Sequence, residues 1–134
     1  ELAEAYGVTF VGDGVRSGTT SQQDVEWKSK GCKFEAEDLA EVTVSLAGPG
    51  DFTKGSFQCL APSDITGIVT PQDVTGATQA WWKTNEAPPL EAWLRACTAE
   101  AIVEINLEYE DGVDYEGDPQ TQSAELAAKI VAKL

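Results

Sequence analysis

Residues 90–109, LEAWLRACTAEAIVEINLEY, decide the fold class. Leu90 to Thr98 and Ala101 to Tyr109 form the clearest hairpin of the chain. In the second arm Ala101, Val103, Ile105, Leu107 and Tyr109 share one face, while Ile102, Glu104, Asn106 and Glu108 share the other. A period of two belongs to a strand with one face buried, so an antiparallel sheet is expected. In the first arm Trp93 alternates with Leu94 and Ala96, so one of those faces must look outward.

Working back from this hairpin, Thr78, Ala80 and Trp82 alternate with Gln79, Trp81 and Lys83, another strand. Asn85-Glu86-Ala87-Pro88-Pro89 separates the two, since successive prolines cannot join a central ladder. Further upstream, Val42, Val44 and Leu46 alternate until Gly48-Pro49-Gly50 breaks the pattern. Val25, Trp27 and Ser29 make one short strand, Lys30-Gly31 a turn, and Cys32, Phe34 and Ala36 the next. Val8 to Val11 reads as a short strand ended by Gly12-Asp13-Gly14, and Arg16 to Asp24 as a polar loop. Ser63-Asp64 and Thr70-Pro71-Gln72-Asp73 look like helix starts that Gly67 and Gly76 limit to a turn or two.

Both ends read as helices. Glu1 to Gly7 places Leu2, Ala5 and Tyr6 on one face and a glycine where a helix stops. The last segment has Asp118 as N-cap, Pro119 at the first helical position and Lys129 and Lys133 near the negative end of the dipole. Ala124, Leu126, Ala127, Ile130, Val131 and Leu134 make its apolar face. The expected architecture is a single α+β domain over 1–134, an antiparallel β-sheet with the N- and C-terminal helices packed on one face.

Composition excludes more than it assigns. At 134 residues the chain can bury a core of its own, and 42% hydrophobic residues argue against wholesale disorder. No apolar run approaches the roughly 20 residues of a membrane-spanning helix. Nine Lys+Arg against 23 Asp+Glu give a net charge of −14, which repels phosphates, so no nucleic-acid partner is expected. Membrane association is expected only through an anchor outside this chain. His is absent, which removes catalytic triads, Cys-His pairs and imidazole metal ligands. We expect no enzyme, no cofactor and no metal site. Met is absent even at position 1, so we expect a chain shortened before residue 1.

Cys32, Cys59 and Cys97 are too far apart for CxxC chemistry. Three buried thiols in a cytosolic protein is one reading. An exported domain with one disulfide is the other, and the excess of Thr, Ser, Gly and acid over Lys and Arg favours it. Cys59–Cys97 is the expected pair, although spacing does not fix connectivity, with Cys32 left to a partner upstream of Glu1.

Leu2-Ala3-Glu4-Ala5-Tyr6-Gly7, Cys32-Lys33-Phe34, Val74 to Trp82 and Ala124 to Ile130 together carry a resemblance. They resemble the helix, the Cys-x-(Trp/Phe) strand, the glycine-led strand and the closing helix of actinobacterial secreted lipoprotein domains of unknown function. Those domains are similar to the extracellular sensor modules of actinobacterial membrane Ser/Thr kinases. The resemblance implies ligand or partner binding outside the membrane, at an extracellular or cell-envelope location. It supplies no catalytic residue, and residues 52–72 have no counterpart in it.

Three local features are candidates for chemistry. Glu100 to Asp118 holds eight acids and no Lys or Arg, and Asp114-Tyr115-Glu116-Gly117-Asp118 spaces carboxylates as a Ca²⁺ loop does. It lacks the downstream glutamate of such loops, so a solvated acidic loop is the expected reading. Lys28, Lys30 and Lys33 are expected to pair with Glu26, Glu35 and Glu37 at the surface. Trp81 and Trp82 must point to opposite faces of a strand, one into the core and one outward. The outer tryptophan, Trp93 and the Pro88-Pro89 loop then form the expected binding surface for a small molecule, glycan or protein. Two other functions fit the composition: an acidic inhibitor or immunity-type module that steers basic partners, and a hydrolase using two carboxylates in a cleft.

Overall fold

A computed structural model of the chain describes residues 10–36, 40–65, 67–85, 91–109 and 118–134. Within them lie eight strands and one α-helix. The strands are β1 (Phe10–Gln22), β2 (Val25–Ala36), β3 (Ala40–Ala47), β4 (Phe52–Lys54), β5 (Gly67–Pro71), β6 (Gln79–Asn85), β7 (Glu91–Cys97) and β8 (Ile102–Glu108). The helix α1 is Pro119–Ala132. All strand pairs are antiparallel, in the order β1-β2-β3-β8-β7-β6-β5, with β4 also paired to β2.

The β7–β8 hairpin is central, as its alternation requires. Leu94 pairs with Ile105, Ala92 with Leu107 and Ala96 with Val103, and all six are buried. Val42 and Val44 of β3 extend this apolar face, and Ala80 and Trp82 of β6 extend it on the other side. The helix lies across it. Asp118 caps α1 by accepting hydrogen bonds from the Thr121 amide and hydroxyl, and Pro119 opens the first turn. Ser123, Ala124, Leu126 and Ala127 are its buried residues, so small side chains bring the helix close to the sheet. Leu134, expected on the apolar face, is exposed. The expected α+β class with a carboxy-terminal helix on an antiparallel sheet is therefore present. The expected helix over residues 1–7 lies outside the described residues, as do Pro88, Pro89 and the acidic loop through residue 117.

The opposite face holds a second core of Val25, Trp27, Ala47, Cys97 and Ile102, with Phe52, Phe57, Cys59, Leu60 and Trp81 packed against it. Trp27 is fully buried and stacks on Phe52 at 5.2 Å. Cys59 and Cys97 are joined in a disulfide, which ties the irregular stretch after β4 to the end of β7. Gln22 reaches the same region by donating to the Ala61 carbonyl, so the far end of the β1–β2 hairpin bends over this face. Cys32 is free and exposed.

Four local expectations are corrected. Arg16 to Asp24 is not a loop and Gly12-Asp13-Gly14 does not end a strand, because β1 runs on to Gln22. A Gly/Ser/Thr stretch has little strand preference of its own, but β2 supplies a partner for each residue from Gly12 to Gln22. Lys30-Gly31 is not a turn but the middle of β2. Thr70-Pro71 ends strand β5 instead of starting a helix; β5 is an edge strand, where a residue lacking N–H is tolerated. The Gln72 amide then continues toward the Ala80 carbonyl at 3.0 Å. Ser63 to Ile65 forms only a bend and a turn residue.

Gly31 is required by close approach. A Cβ there would lie 1.8 Å from the Val44 carbonyl oxygen of β3. Gly31→Ala must push β2 and β3 apart, and we expect a loss of roughly 1–3 kcal/mol in urea unfolding. An unchanged midpoint would show that the two strands can separate at no cost.

Candidate functional site

The sheet partitions the tryptophans. Trp82 faces α1 and is buried. Trp81, one residue earlier, lies on the opposite face against the disulfide cluster and is partly buried. Trp93 shares that face, because its register partner is Lys83, which alternates with Trp82. The Lys83 ammonium sits 4.9 Å from the Trp93 ring centre, a cation–π distance. The structure thus brings Trp81 and Trp93 to one face and places Trp82 on the other.

Arg95 organises the Trp81 and Trp93 face. Its side chain is buried, with Nε 3.4 Å from a Glu104 carboxylate oxygen. Nη1 donates to the Gln22 side-chain carbonyl at 3.0 Å and to the Leu60 carbonyl at 2.8 Å. The guanidinium also lies 5.3 Å from the Trp27 ring centre. One cation therefore ties β7 to β8, to the end of β1, to β2 and to the disulfide-linked stretch. The Trp27 indole N–H is buried with no hydrogen-bond partner among the described residues, a desolvation cost that the packing of this region offsets. Sequence reading missed Arg95, yet a signal was available. In the β7–β8 register Arg95 falls opposite Glu104, a charge pair set by the hairpin's own geometry.

Of the expected lysine pairs, Lys33 contacts Glu35 at 3.3 Å and, unforeseen, Glu41 of β3 at 2.6 Å. Lys28 and Lys30 are exposed. Among the described residues no group of three or more His, Cys, Asp or Glu is placed to hold a metal ion. No described helix is long and apolar enough to cross a membrane.

A cleft of about 310 Å³ opens on the helix side, where the first turn of α1 stands over the ends of β6 and β7. Trp82, Ala92, Tyr109 and Pro119 give it apolar walls. Thr84, Asn85, Glu91, Asp118 and Gln120 add polar groups, and no Lys or Arg is among the described residues that line it. Gln120 is held by donating to Gln72 at 2.6 Å, and Glu91 accepts from Asn106 at 2.8 Å. The Thr121 hydroxyl, helped by backbone amides, keeps the Asp118 carboxyl below its ordinary pKa, so it is an anion at neutral pH. Sequence reading had Trp82 and Asp118 only as separate features. Their meeting depends on how α1 crosses the sheet.

Fold and cleft together define a disulfide-linked α+β domain with a small, mixed apolar and acidic recess lined by described residues. Comparison with protein-family models, with curated proteins and with solved structures finds no match.

Proposed function

We propose that this chain is a non-catalytic binding domain of an oxidising, extracytoplasmic compartment, and that it takes a small neutral, hydroxyl-rich ligand, one sugar ring in size, in the cleft beside Trp82. The lining of that cleft carries the reading. A volume of about 310 Å³ is at the small end of ligand sites. Aromatic walls suit the C–H faces of a sugar, and the carboxylates of Glu91 and Asp118 accept from hydroxyls. The described lining holds no cationic side chain, so it offers an anionic ligand no charge partner. The disulfide and the resemblance to secreted lipoprotein domains support the compartment.

The test is an amide and indole NMR titration with glucose, galactose, mannose and N-acetylglucosamine, each to 50 mM, an arbitrary ceiling of about the weak-site range. Saturable shifts at Trp82, Ala92 and Thr84 are expected, and Thr84→Trp, which fills the cleft, should abolish them. Shifts confined to Trp93, or none at all, would overturn the reading.

A further inference from the structure

Strand β5 places an apolar side chain beside the cleft. Ile68 pairs with Thr84 of β6, and Thr84 pairs with Ala92 of β7. Directly paired residues point to the same side of a sheet, and Ala92 belongs to the core beneath α1, so all three face the helix side. Thr84 and Ala92 line the cleft. Ile68 stands one strand further out, about 5 Å from Thr84. Ala92 is buried, whereas Ile68 is 54% exposed.

The backbone fixes Ile68 at this place. A Cβ at Gly67 would collide with the Thr84 carbonyl oxygen, so a larger residue there would push β5 away from the cleft. The two ends of β5 then flank the cleft differently. Beyond Pro71, Gln120 in the first turn of α1 donates to Gln72 at 2.6 Å and bridges helix to sheet. At the other end the flank is the half-exposed Ile68. In a chain of net charge −14, residues 65–72 carry no charge at all, so this flank is neutral as well as apolar.

We infer that the ring held in the cleft carries an apolar substituent: the ligand is a glycoside whose aglycone crosses Thr84 and lies on Ile68. The inference rests on the reading of the cleft as a single-ring site and names what that ring carries. A cleft of about 310 Å³ is filled by one ring, so an attached group lies outside it. An aryl aglycone is long enough for the one-strand step of about 5 Å from Thr84 to Ile68. Its contact removes apolar surface from water on both partners, and a hydroxyl-bearing group of the same size gains nothing comparable there.

The probes are methyl and phenyl glycosides of glucose, galactose and mannose, both anomers, followed by amide and indole NMR. For the sugar that shifts Trp82 and Thr84, the phenyl glycoside is expected to bind about tenfold more tightly than the methyl glycoside, and it alone should shift Ile68. Ile68→Ser should remove that gain and Ile68→Leu should keep it. Both should leave the methyl glycoside affinity and the circular dichroism unchanged, because the side chain is half-exposed and outside the ring site. Equal affinities for methyl and phenyl glycosides would overturn the inference and leave the single-ring reading standing. So would a gain that survives Ile68→Ser. Glycosides that shift nothing at Trp82, Thr84 or Ala92 would overturn both.

Discussion

Replacing Cys59 and Cys97 together by alanine is expected to lower the unfolding free energy by about 4 kcal/mol. The bridge closes a loop of 38 residues, and the chain-entropy relation gives about that value for a loop of this length. Most of the effect lies in the unfolded state, which becomes more expanded once the cross-link is gone. The urea m-value should therefore rise as the midpoint falls. A native-state effect adds to this. Residues 56–63 contain no helix or strand, and their described anchors are the disulfide, the packing of Phe57 and Leu60, and the carbonyls of Leu60 and Ala61. Urea curves in a Cys32→Ser background, with and without reductant, measure it without thiol exchange. A difference below about 1 kcal/mol would show that the non-covalent anchors suffice.

Arg95→Ala is the second large effect, at about 3 kcal/mol. Removing one partner of a buried ion pair costs about 3–5 kcal/mol, because the other charge is left without compensation. Water reaches Glu104, whose side chain keeps 21% of its exposure, so the lower end applies. The substitution also removes the donor to Gln22 and to Leu60 and the cation beside Trp27. Arg95→Lys should recover only part of the loss, because one ammonium cannot reproduce the spread of guanidinium contacts. Glu104→Gln should cost less than either. Amide exchange near Gln22 and Leu60 should accelerate before exchange in β8 does, since those segments are held through the guanidinium. If Arg95→Ala unfolded at the wild-type midpoint, the cross-sheet contacts would contribute nothing to stability.

What was legible in the sequence was local. The alternation of Val103, Ile105 and Leu107, the break at Gly48-Pro49-Gly50 and the Asp118-Pro119 start of α1 depend on neighbours within a few residues, and each appears where periodicity or capping places it. The opposite orientation of Trp81 and Trp82 followed from the strand period alone. The expected Cys59–Cys97 bridge is present, although spacing had left its connectivity open.

Tertiary structure alone decided the rest. Residues 16–22 have turn-like composition and become strand because β2 offers a continuous ladder, which outweighs a weak local preference. Gly31 reads as a turn residue and is instead the point where the β3 backbone comes too near for a side chain. Pro71 reads as a helix start and closes an edge strand. The hairpin register places Arg95 opposite Glu104, but its contacts with Gln22 of β1 and the Leu60 carbonyl come from segments 73 and 35 positions away. The cleft joins Trp82 to Asp118 across 36 positions of sequence, a distance over which no periodic signal carries. Hydrophobic period and capping act over one or two turns of chain, so they determine elements. Which elements meet depends on burial and pairing summed over the whole sheet, and that is settled only when the chain folds.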